Sequence, residues 1–185
     1  MIFGDSSWGY LPPEAPPLTL GCLLEPGSLT QRLVASGRVF TVRVLAFGPH
    51  VAAEDEVAFL GLAPGDGLMA RHVALELDGT AVVVARSICR IGCPVWGPVL
   101  DRGGRSLGLT LFSGTLPIGR SEIEFALPAA GHPLHDLLEQ CVGPSAPRPA
   151  RRCLFVLDEA PLGVHEVFLP ALEGSLAAAP IARTA

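Results

Sequence analysis

The stretch LMARHVALELDGTAVVVARSI, residues 68 to 88, restricts the fold more than any other part of the chain. Asp78-Gly79 is a preferred two-residue hairpin turn, flanked by runs rich in Val, Ala and Leu. Side chains alternate across a strand, so Met69, Arg71, Val73, Leu75 and Leu77 share a face. On the return strand Val82, Val84, Arg86 and Ile88 share one. With Asp78 and Gly79 as the turn, Leu77 pairs with Thr80 and Arg71 is expected opposite Arg86. Two adjacent guanidinium groups on an apolar face repel, and each is costly to bury without a partner. The hairpin therefore calls for an internal carboxylate, an edge position where the side chains reach water, or an acidic ligand gripped by both forks.

A second hairpin is expected at residues 153–169, in CLFVLDEAPLGVHEVFLP. There Leu162, Val164, Glu166 and Phe168 share a face, so one carboxylate enters an apolar row. Glu166 either neutralises one of the hairpin arginines or serves as a hydrogen-bonding or acid/base group in a pocket they line. His165 falls on the opposite face and reads as a surface or packing histidine. Further strands are expected at 38–46, in RSLGLTLF and in RSEIEFAL. In the last, Arg120, Glu122 and Glu124 read as the solvated face.

Two helices are expected. PGSLTQRLVASG starts at a Ser28 cap, with Gln31 three residues on, and stops at Gly37. HPLHDLLEQCVG gathers Leu134, Leu137, Leu138 and Cys141 on one side, leaving His132 and His135 solvated near Asp136. Residues 50–67 read as a linker and GCPVWGPVLDRGG as a loop or flap. The chain is expected to form one domain over 1–185, with a Pro-rich lead-in at 1–20 and a flexible tail at 172–185. Strands joined by short turns imply an α+β fold: a single antiparallel sheet with helices on one face. No GxGxxG lies between a strand and a helix, so a doubly wound dinucleotide fold is not indicated.

Composition removes several chemistries. All 13 basic residues are arginine, so a Schiff-base lysine and a P-loop lysine are both excluded. A net charge of −5 argues against a nucleic-acid partner. Cys22, Cys89, Cys93, Cys141 and Cys153 are odd in number and scattered, which suits reduced, buried thiols better than a disulfide framework. Cys89 and Cys93 form CxxxC, but no further ligands stand at usable spacing, so no metal is expected. No apolar run reaches the roughly 18 residues of a membrane span, and no secretory leader pattern opens the chain. A cytoplasmic protein without a membrane partner is expected.

LLEPGSLTQRL, LMARHVALELDGTAVVVAR, SLGLTLF and RRCLFVLDEAPLGVHEVFLPA together resemble the chorismate lyase family, the chorismate–pyruvate lyases of ubiquinone biosynthesis. The likeness runs over residues 20–172 and is weakest at 46–67. Its most specific piece is the glutamate before a hydrophobic-Phe-Leu-Pro run. The resemblance implies a six-stranded antiparallel sheet and a ligand buried under flaps. It also implies a cofactor-free lyase that converts chorismate to 4-hydroxybenzoate and pyruvate.

Carried over residue by residue, the carboxylate-binding arginine falls on Arg71. The glutamate that contacts the ring oxygen falls on Glu166, and a backbone contact falls on Leu107. An apolar wall residue falls on Leu29, where the family has methionine. The second hairpin arginine, Arg86, is expected to share in holding a carboxylate. The partners so implied are chorismate and 4-hydroxybenzoate, on a monomer or weak homo-oligomer. Two other readings are a non-catalytic aromatic-acid-binding protein of the same fold, and a lyase or isomerase for another chorismate-like dicarboxylate. The fold also serves as a sensor domain of transcription regulators. Only about twenty residues precede the resemblance, too few for a winged helix-turn-helix.

Overall fold

The computed structural model describes residues 7–63 and 65–178. Its frame is a seven-stranded antiparallel sheet built from β1 (Phe40–His50), β2 (Leu68–Leu77), β3 (Thr80–Arg90), β4 (Gly119–Arg120), β5 (Glu124–Ala126), β6 (Ala150–Leu157) and β7 (Ala160–Phe168). The order is β1-β2-β3-β7-β6-β4, with β5 also pairing β6. Both expected hairpins form. Asp78 and Gly79 take φ of 50° and 78°, and Asp158 and Glu159 take 49° and 61°, the left-handed pairs that tight hairpin turns require.

The first hairpin departs from its expected register. Leu77 pairs with Thr80 and Glu76 with Ala81, but Leu75 then pairs with Val83, leaving Val82 as an extra residue. Every pair beyond it is shifted by one, so Arg71 lies opposite Ser87 and Arg86 opposite His72. The bulge buries Val82 and Val83 in the same cluster, which regular alternation forbids. Arg71 and Arg86 consequently point to opposite faces of the sheet, and the adjacent-arginine expectation is overturned.

Helices cover both faces, not one. The face bearing Val73, Leu75 and Ala85 is packed by α1 (Pro17–Leu23), α2 (Leu29–Val34) and α7 (Ala171–Ala177) through Leu23, Leu33 and Leu172. Along the same face α4 (Gly97–Leu100) and α5 (Leu107–Leu111) set Leu100 and Leu107 against Cys153 and Phe155. The other face holds α6 (Pro133–Val142), whose Leu134, Leu137 and Leu138 meet Val84 and Val167. It also holds α3 (Glu54–Phe59), followed by Leu60 against Ala70 and Ile88.

Local expectations fare unevenly. Ser28 caps α2 by accepting from the Gln31 N–H at 3.3 Å. SLGLTLF is helical: α5 buries Leu107 and Leu111 while Leu109 stays 50% exposed, whereas a strand would place all three on one side. The expected linker contains α3, and the expected lead-in contains most of α1. The start of the expected flexible tail forms α7, whose Leu172 is fully buried. Residues 179–185 of that tail, and 1–6 of the lead-in, lie outside the described residues.

Candidate functional site

Arg71, Glu166, Leu29 and Leu107 line one cavity on the α1/α2/α5 side of the sheet. Arg71 comes from the middle of β2 and is only 2% exposed. Its Nη2 donates to the carbonyls of Gly103 and Arg105 at 2.8 and 3.0 Å, in the loop ahead of α5. Burial first, and then the charge of Arg102, push its pKa down to about 10. That is still far above neutrality, so the guanidinium stays charged. No carboxylate among the described residues pairs with it.

Glu166 enters from β7, next to Ala85 of β3 and Arg151 of β6. Arg151 Nε donates to Glu166 Oε2 at 2.6 Å. The Nη1 of Arg151 donates to the carbonyls of Cys22, Leu23 and Glu25 at 3.0, 3.3 and 2.8 Å. The Cys22 and Leu23 carbonyls close α1 and that of Glu25 lies just past its cap, so the cation meets the negative end of the helix. Arg151 thereby commits its Nε and Nη1. It turns Glu166 into a fixed hydrogen-bond acceptor at the cavity wall.

The remaining wall is apolar with a few hydroxyls. Leu29, Leu107, Val73 and Leu75 face the space. Phe112 and Phe155 meet edge to face with centroids 5.8 Å apart. Thr30 and Ser106 join α2 to the start of α5 by a 2.7 Å hydroxyl contact. Gly108 packs so close that a Cβ there would stand 2.8 Å from Thr30 Oγ1.

Arg120 also lines this cavity, contrary to its reading as a solvated strand residue. Its guanidinium lies over the rings of Phe112 and Phe155, 5.1 and 5.5 Å from their centroids. Its Nη1 donates to the Pro26 carbonyl and its Nη2 lies 3.1 Å from Cys153 Sγ.

Arg86 does not reach the cavity. The β3 bulge turns it to the opposite face, where it forms a buried bidentate pair with Glu56 at 2.6 and 2.8 Å. Arg86 is 1% exposed and Glu56 fully buried. Arg86 Nη1 stands 2.6 Å from His72 Nε2, which must accept, so the His72 proton sits on Nδ1. The substrate-binding role expected for Arg86 is therefore corrected: it is the partner of an internal carboxylate.

His165, also on this face, is completely buried between Trp8 and Phe59, and neither ring nitrogen has a partner among the described residues. Burial pushes its pKa down to about 4. Arg152 neighbours it, ion-paired to Asp55 at 2.9 Å and Glu124 at 2.7 Å. His132 and His135 are buried rather than solvated, with 7% and 3% exposure. Their helix packs against β3 and β7.

The sequence reading misses Arg151 and places Arg120 on a solvated face. Arg151 carried a legible signal: it alternates with Cys153 and Phe155 on the buried side of β6. Arg120 carried none, because β4 is two residues long and shows no period. No group of three or more His, Cys, Asp or Glu among the described residues is placed to hold a metal ion. No described helix is long and apolar enough to cross a membrane.

A family model described as chorismate lyase matches residues 13–173. A Burkholderia pseudomallei (strain 1710b) protein named probable chorismate pyruvate-lyase 1 is 32% identical over 181 residues, covering 96% of this chain and 97% of that protein. A Thiobacillus denitrificans (strain ATCC 25259 / T1) protein named probable chorismate pyruvate-lyase is 36% identical over 179 residues, covering 89% and 90%. Among solved structures, the effector domain of PhnF from Mycobacterium smegmatis superposes with a TM-score of 0.53 at 18% identity, covering 78% of this chain and 89% of that one. At that identity the likeness is one of fold alone.

Proposed function

This chain belongs to the chorismate lyase family, and from that membership we propose that it converts chorismate to 4-hydroxybenzoate and pyruvate in the cavity between Arg71 and Glu166. The observation that carries the location is the pairing of an uncompensated guanidinium with a fixed carboxylate on one apolar, narrow cavity. An aromatic hydroxy acid has the complementary ends.

Arg71 anchors the ring carboxylate by charge-assisted hydrogen bonds, its orientation fixed by the Gly103 and Arg105 carbonyls. Glu166 accepts from the 4-hydroxyl, its own position fixed by Arg151. Leu29 and Leu107 sandwich the ring and keep water out. In the elimination the C3–O pair leaves with the enolpyruvyl oxygen, and the C4–H pair closes the aromatic ring. The enolpyruvyl methylene gains a proton, and pyruvate results. No redox change occurs, so positioning and electrostatics are the protein's main contribution. No cofactor is required by this balance.

The cavity is partly open, and the volume in it that water can occupy is about 50 Å³, space for a few water molecules. A substituted six-membered ring needs more room than this, so the lining shifts to admit it. Incubating the purified protein with chorismate and quantifying both products tests the assignment. Equimolar 4-hydroxybenzoate and pyruvate support it, and binding without turnover contradicts it.

A further inference from the structure

We infer that Arg120 is the residue that recognises the second carboxylate of the substrate, the one on the enolpyruvyl side chain. The inference rests on the chorismate reading above and deepens it. The cavity carries three guanidinium groups on its own face of the sheet: Arg71, Arg120 and Arg151. Arg151 is neutralised by Glu166 and holds three carbonyls. Arg71 and Arg120 have no carboxylate partner among the described residues. The wall thus presents two uncompensated positive charges, which matches a dicarboxylate and exceeds what a monocarboxylate product needs.

Arg120 is set up to receive an anion. Its Nε is buried and has no hydrogen-bond partner, an unmet donor beside the cavity. Its Nη2 is spent on a thiol, a weak acceptor that a carboxylate readily outcompetes. The faces of Phe112 and Phe155 hold the fork in place without neutralising it. The contact to the Pro26 carbonyl ties it to the segment just ahead of α2, which supplies Leu29 to the ring wall. Arg102, another guanidinium with unpartnered nitrogens, gives its Nη2 to Thr110 and does not line the cavity.

The test separates the second carboxylate from the first. The stable dicarboxylate 3-(carboxymethoxy)-4-hydroxybenzoate, its monocarboxylate counterpart 3-methoxy-4-hydroxybenzoate and 4-hydroxybenzoate are titrated calorimetrically into the wild type and into Arg120→Gln, Arg120→Lys, Arg71→Gln and Arg102→Gln. The wild type is expected to prefer the dicarboxylate at least tenfold. Arg120→Gln is expected to lose that preference while binding 4-hydroxybenzoate within threefold of wild type, and Arg120→Lys to recover part of it. Arg71→Gln is expected to weaken all three ligands together. A lost fold would depress all ligands equally, so the selective loss is not a structural artefact.

In turnover, Arg120→Gln is expected to raise KM for chorismate at least tenfold. An unchanged dicarboxylate preference in Arg120→Gln, or a loss confined to Arg102→Gln, overturns the inference. Should Arg120→Gln fail to fold, the wild-type preference and the Arg120→Lys titration still decide it. If the wild type shows the preference but never turns chorismate over, the lyase reading fails and the Arg120 assignment stands.

Discussion

Arg71 faces Ser87 across the first hairpin, while Arg86, one residue away, faces His72 on the other side of the sheet. A single extra residue, Val82, separates a cavity-lining cation from a structural one. Two nearly equivalent arginines in the sequence therefore do unrelated work. Arg71→Gln removes the only group on β2 able to hold a ring carboxylate. Loss of a buried charge-assisted partner of this kind costs about 2–4 kcal/mol, roughly 30- to 1,000-fold in kcat/KM. Steady-state kinetics is expected to show most of it in KM, with 4-hydroxybenzoate affinity falling in parallel.

Glu56→Gln acts on the other face. It leaves Arg86 buried without its carboxylate, and breaking such a pair costs about 3–5 kcal/mol. Urea denaturation is expected to show a loss of that order. The folded fraction is expected to turn over chorismate within threefold of wild type, since neither residue lines the cavity. A stable variant with impaired kinetics would reverse the division of labour drawn here.

Glu166→Gln keeps the size of the side chain but removes the charge that accepts from the 4-hydroxyl and pairs with Arg151. Loss of a preorganised electrostatic contact of this type lowers kcat by about a hundredfold. Calorimetry with 4-hydroxybenzoate is expected to show a smaller loss, because Arg71 still holds the carboxylate.

Gly108→Ala tests the junction of α2 and α5. The new Cβ would stand 2.8 Å from Thr30 Oγ1. Overpacking of that kind costs about 1–3 kcal/mol. As α5 is displaced, Leu107 withdraws from the ring wall, and KM is expected to rise along with a lower thermal midpoint.

His165 makes stability depend on acid. Its folded pKa of about 4 lies below the ordinary 6.5, because burial disfavours the charged ring. Between those values the unfolded chain binds the extra proton, so stability is complete above 6.5 and falls as the pH drops toward 4. The loss is about 2 kcal/mol by pH 5. His72, held low by burial and Arg86, acts in the same direction. In His165→Leu the difference in unfolding free energy between pH 7 and pH 5 is expected to shrink by at least 1 kcal/mol, read from urea midpoints at both values. An undiminished difference would place the acid sensitivity elsewhere.

The sequence shows both hairpins, the α2 cap and the helix at 133–142 because each rests on local signals: turn dipeptides, a capping serine, and a strong period. It also shows that Arg71 and Glu166 occupy apolar faces, which alternation alone reveals. It does not show the Val82 bulge. An extra valine in a run of valines leaves the pattern unchanged, and only the packing of both Val82 and Val83 against the same cluster selects it. SLGLTLF misleads for a related reason, since leucines at every second position satisfy a strand and leucines four apart satisfy a helix. The Glu56 partner of Arg86 lies in a segment whose acidic composition resembles a linker, and only the folded chain brings it beneath the sheet.

The most direct measurement is a chorismate turnover assay on the wild type, Arg71→Gln and Glu166→Gln, with 4-hydroxybenzoate and pyruvate quantified together. Equimolar products from the wild type, a KM defect in the arginine variant and a kcat defect in the glutamate variant are expected. Wild-type kinetics in both variants, or no product from the parent protein, would contradict a reaction centred between these two side chains.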